Sequence, residues 1–348
     1  MNKNGGLSTI AKLTIALAGL FVISMFLFVL SLRIYIMSNV TGNRQYLYIH
    51  TGATFDEVLA TIKQEGIVRD TTAFIKLAKR MSYPDKVKPG RYRLKKGMSN
   101  RRFINMLKSG TQQPVDLSFQ GIRLKEDFAG VVAQQIEADS LAIINLIDSS
   151  AFIEQYGFNK HTIYAMFIPN SYELYWNTLA PKFFARMYDE YQKFWNKARR
   201  DKAEYIGLSP IQVSIMASIV CSEARYDKEM PMIAGLYMNR YKKGIALEAD
   251  PTVIFANNDF SIRRVLNRHL KVDSPYNTYM YAGLPPGPIT MPSINAIDAV
   301  LNYTKHDYIY MCAKEDFSGY HNFASTLEQH QANARKFQRA LDERNIMK

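Results

Sequence analysis

A run of twenty uncharged residues near the amino terminus constrains this chain more than any other feature. Leu13 to Leu32 reads LTIALAGLFVISMFLFVLSL, and about twenty apolar residues are what a helix needs to cross a bilayer. A cleaved signal peptide would have a shorter apolar region and a small-residue exit, whereas here Arg33 is followed by a further apolar stretch, Ile34 to Met37. We therefore predict a tail at residues 1–12 and an uncleaved transmembrane helix at 13–37. Basic residues flank both ends of the run, so the positive-inside rule leaves its orientation open.

The net charge points to an anionic partner. The 348 residues carry a formal charge of +13, which suits nucleic acid, an anionic membrane face or an acidic polymer. The basic residues are scattered except for short runs at Lys76–Arg80, Lys86–Lys96 and Lys197–Lys202. Because the sequence has no zinc-finger spacing, RNA-binding signature or arginine-rich arm, we expect no nucleic-acid partner.

Hydrophobic periodicity after the apolar run predicts a mixed α+β chain in two parts. Residues 45–112 are expected to form a small module of strand, helix, helix, strand and helix. Its predicted elements are Tyr46–His50, Thr54–Ile62, Thr71–Met81, Arg91–Leu94 and Met98–Lys108.

Residues 113–348 are expected to form a larger domain. Its predicted helices are Leu124–Gln135, Ser140–Asp148, Pro181–Arg200, Met230–Lys243 and Leu327–Asn345. A strand is predicted at Val115–Phe119, a strand-like run ends at Phe167–Ser171, Leu247–Ile294 is rich in loops, and Tyr308–Ala313 pairs with His321–Phe323 as a hairpin.

Glu223 is the strongest candidate for chemistry because it ends a helix that is otherwise apolar. Ser209 can cap this helix, and Pro210 suits its first position. A carboxyl group kept out of water tends to hold its proton, and an acid protonated near neutral pH can act as a general acid. The alternative is a structural Glu that faces water or pairs with Arg225.

Most glycosidases use two carboxylates around the bond that they cut. The candidates for a second one are Asp227, Glu229, Glu248 and Asp250, and spacing singles out none of them. One carboxylate can suffice if the sugar supplies its own nucleophile. Loops at Tyr276–Tyr279 and Gly283–Pro288 offer hydroxyl donors and aromatic faces that suit sugars, although tight turns over a core would look the same.

Other chemistries have little support. Cys221 and Cys312 could form a bridge, but spacing cannot show that they meet. The histidines are dispersed without metal-ligand spacing, and GxSxG, P-loop and GxGxxG motifs do not occur. We expect neither a metal nor another cofactor.

Six motifs in order resemble the endolytic murein transglycosylase (YceG-like) family, and the likeness covers nearly everything after the apolar run. They are ASIVxxE at Ala217–Glu223, the pair Asn239-Arg240, DPTVI at Asp250–Ile254, YNTY at Tyr276–Tyr279, GLPPGPI at Gly283–Ile289 and HxF at His321–Phe323. Two departures are Cys221, where family members often carry Glu, and Gln329-His330-Gln331 in place of Glu-His-Asn.

The resemblance implies a LysM-like module at 45–112, followed by a YceG-like catalytic domain at 113–348. It implies a cytoplasmic amino terminus, an anchor in the inner membrane, and a catalytic domain that faces the cell wall. The expected activity is cleavage of nascent glycan strands between N-acetylmuramic acid and N-acetylglucosamine without water, which leaves 1,6-anhydro ends. Peptidoglycan synthases are expected partners.

The same resemblance implies site residues. Glu223 matches the family's catalytic glutamate and would act as general acid and then as base. Substrate-binding roles are expected for Tyr276, Asn277, Thr278, His321, Asn239 and Asp250. The competing hypotheses are a hydrolase with a second carboxylate and a non-catalytic scaffold that binds the cell wall.

Overall fold

The structure is a computed structural model, and it describes residues 8–36 and 39–344. The chain divides into two compact units, residues 1–115 with 174–177 and residues 116–173 with 178–348. Residues 1–7 of the predicted tail, Met37 of the predicted transmembrane helix and Asn345 of the predicted closing helix lie outside the described residues. The predicted mixed α+β class is confirmed.

Helix α1, Thr9–Ile36, contains the apolar run. Its segment Thr9–Val29 has a mean hydropathy of 2.3, and its side chains are not buried by the rest of the protein. This segment is long and apolar enough to cross a bilayer, which is compatible with a single-pass anchor.

The first unit has the predicted order of strand, helix, helix, strand and helix. After α1 come β1 Tyr46–Ile49, α2 Phe55–Gln64, α3 Thr71–Arg80, β2 Gly90–Arg93 and α4 Asn100–Ser109. Strands β1 and β2 pair antiparallel with Leu47 opposite Tyr92, and both side chains are fully buried. The alternating pattern of β1 therefore places one face of this two-stranded sheet in the core with the apolar sides of α2, α3 and α4.

A buried asparagine pair fixes the start of the first unit. The Asn39 side-chain amide donates to the Asn100 side-chain oxygen at 2.9 Å and to the Asp70 carbonyl oxygen at 2.8 Å. Its own side-chain oxygen accepts from the Asp70 backbone N–H at 2.8 Å. Asn39 is thereby tied to the amino-terminal ends of both α3 and α4.

A short excursion of the chain, residues 174–177, also belongs to the first unit. The Trp176 ring meets the Tyr48 ring edge-on, with 4.9 Å between the ring centroids, and meets the His50 ring in the same way at 5.0 Å. Sequence patterns give no indication of this contact, because more than 120 residues separate its partners.

The remaining elements are mostly helical. The strands are β3 Val115–Ser118 paired with β4 Ser171–Leu174, and β5 Tyr310–Ala313 paired with β6 His321–Ala324. The helices are α5 Lys125–Ala133, α6 Ser140–Asp148, α7 Ser150–Glu154, α8 Ala180–Phe194, α9 Lys197–Ile206, α10 Pro210–Glu223, α11 Met230–Lys242, α12 Asp250–Ala256, α13 Ile294–Leu301 and α14 Leu327–Glu343. The predicted hairpin is confirmed, with Cys312 opposite Asn322.

Two sequence predictions were wrong. The long helix expected at Pro181–Arg200 is two helices, α8 and α9, because the Asn196 side chain accepts from the Arg199 backbone N–H and caps a new helix. At Phe167–Ser171 the chain begins a strand, β4, rather than ending one. The stretch expected to be rich in loops also contains the short helix α12, which starts at Asp250 with Pro251 in its first turn.

Helix α10 is the centre of the second unit, where it packs against α11 and α13. Ser209 and Gln212 form a reciprocal capping box at its start, and every residue from Val213 to Val220 is buried. The Ser218 hydroxyl donates to the Ile215 carbonyl oxygen at 2.7 Å and accepts from the Ile289 backbone N–H at 3.1 Å. Ser218 therefore fastens the proline-rich loop to the helix that ends at Glu223.

We expect Ser218→Ala to destabilise the protein by about 1–3 kcal/mol, because it leaves the buried N–H of Ile289 without an acceptor. Ser222→Ala is the matched control, since the half-buried Ser222 hydroxyl bonds only to its own helix, at the Ser218 carbonyl oxygen, among the described contacts. Urea unfolding of the two variants measures the difference. Equal midpoints would contradict the role given to Ser218.

Candidate active site

Glu223 is the last residue of α10, and its side chain lies at the wall of a cleft. One carboxylate oxygen, Oε1, accepts a hydrogen bond of 3.0 Å from the Tyr237 hydroxyl of α11. Tyr237 is 2% exposed, whereas Glu223 itself is half-buried. Helices α10 and α11 thus hold the carboxyl at the inner edge of the cleft. There it bonds to the buried Tyr237 and also faces the space that a bound molecule would occupy.

Loss of hydration dominates the protonation of Glu223. The pKa of this carboxyl is raised to about 7: loss of hydration raises it most, the Tyr237 hydrogen bond lowers it, and the nearby Asp250 carboxylate raises it. Burial and the adjacent Glu223 also raise the pKa of Tyr237, so its hydroxyl stays a donor. Near neutral pH, therefore, Glu223 can both release and accept a proton.

The cleft has a volume of about 270 Å³ and is lined by charged and aromatic side chains from several elements. Its lining includes Glu223, Tyr237, Arg240, Glu248, Asp250, Tyr279, Tyr310, His321 and His330. Asp250, at the start of α12, accepts from the Tyr279 hydroxyl at 2.7 Å. Three carboxyl groups, those of Glu223, Glu248 and Asp250, therefore line the same cleft.

His321 enters the cleft from the β5–β6 hairpin on a buried carboxylate. Glu229 is 5% exposed, and its two oxygens accept from the His321 backbone N–H at 2.7 Å and from the ring Nδ1 at 2.9 Å. Because a carboxylate only accepts, this contact places a proton on Nδ1. The ring is fixed in orientation, and its Nε2 is the nitrogen left for a ligand.

Arg240 forms another wall of the cleft. Its guanidinium is buried and donates to the Ala246 carbonyl oxygen at 2.7 Å, to the Ile309 carbonyl oxygen at 2.8 Å and to the Glu248 carboxylate. These bonds join the end of α11 to the following loop and to the segment that leads into β5. Arg240 thus holds these segments of the cleft wall together.

Two of the expected substrate ligands are buried in the loop rather than exposed in the cleft. Asn277 is fully buried, and its amide donates to the carbonyl oxygens of Leu270 and Val272, both at 2.9 Å. The Thr278 hydroxyl lies 2.8 Å from that of Thr252 and accepts from a backbone N–H of the same region. Both residues hold the loop that carries Tyr279 against α12.

Tyr276 and Asn239 also lie away from the cleft lining. The Tyr276 hydroxyl is 3.3 Å from the His161 ring nitrogen Nδ1, and its ring centroid is 4.7 Å from that of Phe255. The Asn239 amide donates to the carbonyl oxygens of His306 and Tyr308, at 2.6 and 3.0 Å. Of the predicted site residues, the structure brings together Glu223, Asp250 and His321.

The two cysteines are free thiols. Burial raises the pKa of Cys221 to about 11, so its thiol stays protonated and is a poor nucleophile. Within residues 8–36 and 39–344, no group of three or more His, Cys, Asp or Glu side chains has an arrangement that could hold a metal ion.

Sequence reasoning missed the groups that set the properties of the predicted ones. Tyr237 is fourteen residues beyond Glu223 and is one of 22 tyrosines, so nothing marked it as the partner. In the sequence, Glu229 was one of four equivalent carboxylates. Its contact with His321 forms only in the folded protein, because 92 residues separate the two. His330 also lines the cleft and stacks on Tyr310 with ring centroids 5.2 Å apart.

Comparison with known proteins adds an independent observation. The sequence model of the YceG-like family matches residues 47–336. An endolytic murein transglycosylase of Bacillus subtilis is 27% identical over 308 residues, which cover 83% of each chain. One of Streptococcus pneumoniae is 24% identical over 82% of this chain and 57% of its own. A crystal structure of a YceG-like protein from Listeria monocytogenes has a TM-score of 0.55 at 23% identity, covering 85% of this chain and 98% of that one, and it shares the fold.

The raised pKa of Glu223 predicts a particular dependence of stability on pH. Between its ordinary pKa of 4.5 and about 7, the folded protein keeps a proton that the unfolded chain has released. The contribution of Glu223 to the free energy of unfolding therefore falls as the pH rises through this window.

We expect Glu223→Gln to gain stability relative to the wild type as the pH rises through that window, with no further gain above it. Denaturant unfolding at a series of pH values measures the difference. Glu328→Gln, at an exposed position of α14, is the control and should track the wild type. Parallel curves for Glu223→Gln and the wild type would contradict the burial of this carboxyl.

Proposed function

The chain belongs to the YceG-like family, and we propose that it is an endolytic lytic transglycosylase of peptidoglycan. It would cut nascent glycan strands between N-acetylmuramic acid and N-acetylglucosamine and leave 1,6-anhydro ends. The names of its relatives in Bacillus subtilis and Streptococcus pneumoniae support this activity. The observation that carries the proposal is a carboxyl with a pKa of about 7 on the wall of an open cleft.

Glu223 would perform both proton transfers. In its protonated form it donates a proton to the glycosidic oxygen, and the bond to the anomeric carbon breaks. The resulting carboxylate then removes the proton from the C6 hydroxyl of the same muramic acid, whose oxygen closes the anhydro ring. Because one group is acid and then base, a pKa near the working pH serves both steps.

The other groups in the cleft support this chemistry. We assign Asp250 to stabilising the positive charge that develops on the sugar ring, with the Tyr279 hydroxyl orienting its carboxylate. His321 would contact the sugar through Nε2, with Glu229 as its positioning residue. Asn277, Thr278, Tyr276 and Asn239 would act on the substrate by shaping the loops around the cleft, and direct contact of these four with sugar remains a prediction.

The rest of the chain would place this enzyme at the cell wall. We propose that α1 is a single-pass anchor in the inner membrane, with a cytoplasmic amino terminus and the catalytic domain, residues 113–348, facing the wall. The module at 45–112 is proposed to be LysM-like, which its strand, helix, helix, strand order supports. Peptidoglycan synthases are proposed partners.

A hydrolase is the second candidate, since Asp250 shares the cleft with Glu223 and could activate a water molecule. Mass spectrometry of the products separates the two reactions. Anhydro ends indicate attack by the C6 hydroxyl, whereas reducing ends indicate attack by water. Binding of strands without any cut would indicate a scaffold.

We expect Glu223→Gln to lower the rate of glycan cutting by about 10²–10⁴-fold, because an amide cannot transfer the proton. The assay incubates purified full-length protein with uncross-linked glycan strands and counts anhydro ends. Glu328→Gln should keep the wild-type rate. An unchanged product yield from Glu223→Gln would remove this residue from the mechanism.

We expect Tyr237→Phe to move the descending, alkaline limb of the pH–rate profile upward by up to about one pH unit. The Tyr237 hydrogen bond favours the ionised form of Glu223, so its loss raises the pKa of the carboxyl. The acid form then persists to higher pH. A limb that stays in place, or moves downward, would contradict this coupling.

A further inference from the structure

Beyond the membrane helix, the net positive charge lies in the part of the first unit that follows α1. Residues 39–115 contain fifteen Lys and Arg against five Asp and Glu, whereas residues 116–348 contain 26 of each. Residues 39–115 therefore carry +10 of the formal charge of +13, Lys3, Lys12 and Arg33 carry the other +3, and residues 116–348 are neutral overall. Basic residues are scattered along the whole chain, but their excess over acidic residues is concentrated in this small module, residues 39–115.

One part of this charge surrounds a groove between β2 and α4. The groove has a volume of about 530 Å³, and its lining includes Arg93, Lys95 and Arg102 beside the thioether side chains of Met98 and Met106. The three basic side chains belong to exposed residues, as does that of Arg101, which precedes Arg102 at the start of α4, and none of the four forms an ion pair with another described residue. A cluster of uncompensated cations over a partly apolar floor matches the phosphate and upper acyl region of a lipid.

The fold holds one end of this groove, at Lys95 to Arg102, close to the end of the membrane helix, whereas its other end follows α4 to Ser109. Two residues separate Ile36, the end of α1, from Asn39, so the three Cα–Cα steps between them span at most about 11 Å. The backbone N–H of Asn39 donates to the Met98 carbonyl oxygen at 3.0 Å, and its side chain bonds to Asn100. The segment from Lys95 to Arg102 is thus attached at the point where the chain leaves the anchor.

The end of the module opposite to Asn39 lies further from the end of α1. Helices α3 and α4 both start near Asn39, and their far ends meet where the Lys108 ammonium donates to the Met81 carbonyl oxygen at 2.7 Å. The rise of an α-helix separates the start of α3 from its last turn by about 15 Å. Lys76, Lys79 and Arg80 are exposed towards that far end of α3 and offer an internal comparison.

We propose that the face formed by Lys95, Arg101 and Arg102 docks on anionic phospholipid headgroups of the bilayer that holds α1. A basic residue near an anionic bilayer strengthens association about fivefold, and the anchor already supplies a high local concentration of lipid. Docking fixes the orientation of the module relative to the membrane, which the covalent link to α1 alone would leave free. The inference rests on the proposed membrane anchor but not on the reaction at Glu223.

The test compares two triple variants of the full-length chain in nanodiscs. Lys95→Glu/Arg101→Glu/Arg102→Glu changes the proposed docking face, and Lys76→Glu/Lys79→Glu/Arg80→Glu makes the same change of charge at the far end of α3. A fluorophore is attached at Asn105→Cys, an exposed position in the groove, with both native cysteines replaced by serine. Quenching by lipids with a nitroxide headgroup then reports the distance of the groove from the bilayer.

We expect strong quenching in discs with about 30 mol% phosphatidylglycerol and weak quenching in phosphatidylcholine alone. Raising the salt concentration from about 0.1 to 1 M, which shortens the Debye length from about 10 to 3 Å, should remove the difference. The docking-face variant should lose at least about tenfold in the docking constant, and the far-end variant should keep most of it.

Three outcomes overturn the proposal: equal quenching in the two lipids, equal loss in the two variants, or release of the module from anionic discs when soluble glycan strands are added. The last result would assign the charge to the acidic stem peptides of peptidoglycan. Dissociation of the full-length chain from the discs would instead disprove the membrane anchor. Circular dichroism melts show whether each variant is folded.

Discussion

The exclusion of water from the carboxyl of Glu223 is the condition on which the site depends. It arises because α10 is buried on every side for most of its length and delivers its last residue to the edge of a cleft. An exposed carboxyl at the same point would be ionised at neutral pH and could not protonate a leaving group. The apolar sequence of the helix is therefore part of the catalytic apparatus, although none of its apolar side chains lines the cleft.

Around that carboxyl, polar residues divide into those that face the cleft and those that hold its walls. Tyr237 bonds to Glu223, Tyr279 to Asp250, and Glu229 to His321. Each of these bonds fixes the orientation or the proton of a group that lines the cleft. Asn277 and Thr278 instead hold the loop that carries Tyr279, Asn277 through the Leu270 carbonyl oxygen and Thr278 through Thr252 of α12. A motif such as YNTY thus combines both duties within four neighbouring residues.

Local signals predicted most elements, but not their partners. The cap at Ser209 and the alternation in β1 are properties of a few adjacent residues, and each gave an element in the right place. Glu223 was predictable for the same reason, since a carboxylate at the end of an apolar helix is visible in a single segment. The Glu229–His321 contact and the break at Asn196 depend on packing between distant segments, which periodicity does not contain.

The Trp176 excursion has a consequence for dissecting the protein. A truncation after Val115 would include every strand and helix of the first unit, yet it would lack the indole that packs on Tyr48 and His50. Such a fragment would present a bare aromatic surface to solvent and would be prone to self-association. The first unit is therefore not one continuous stretch of sequence, since residues 174–177 belong to it. A version of the module made without them needs either an added indole or a polar replacement of Tyr48.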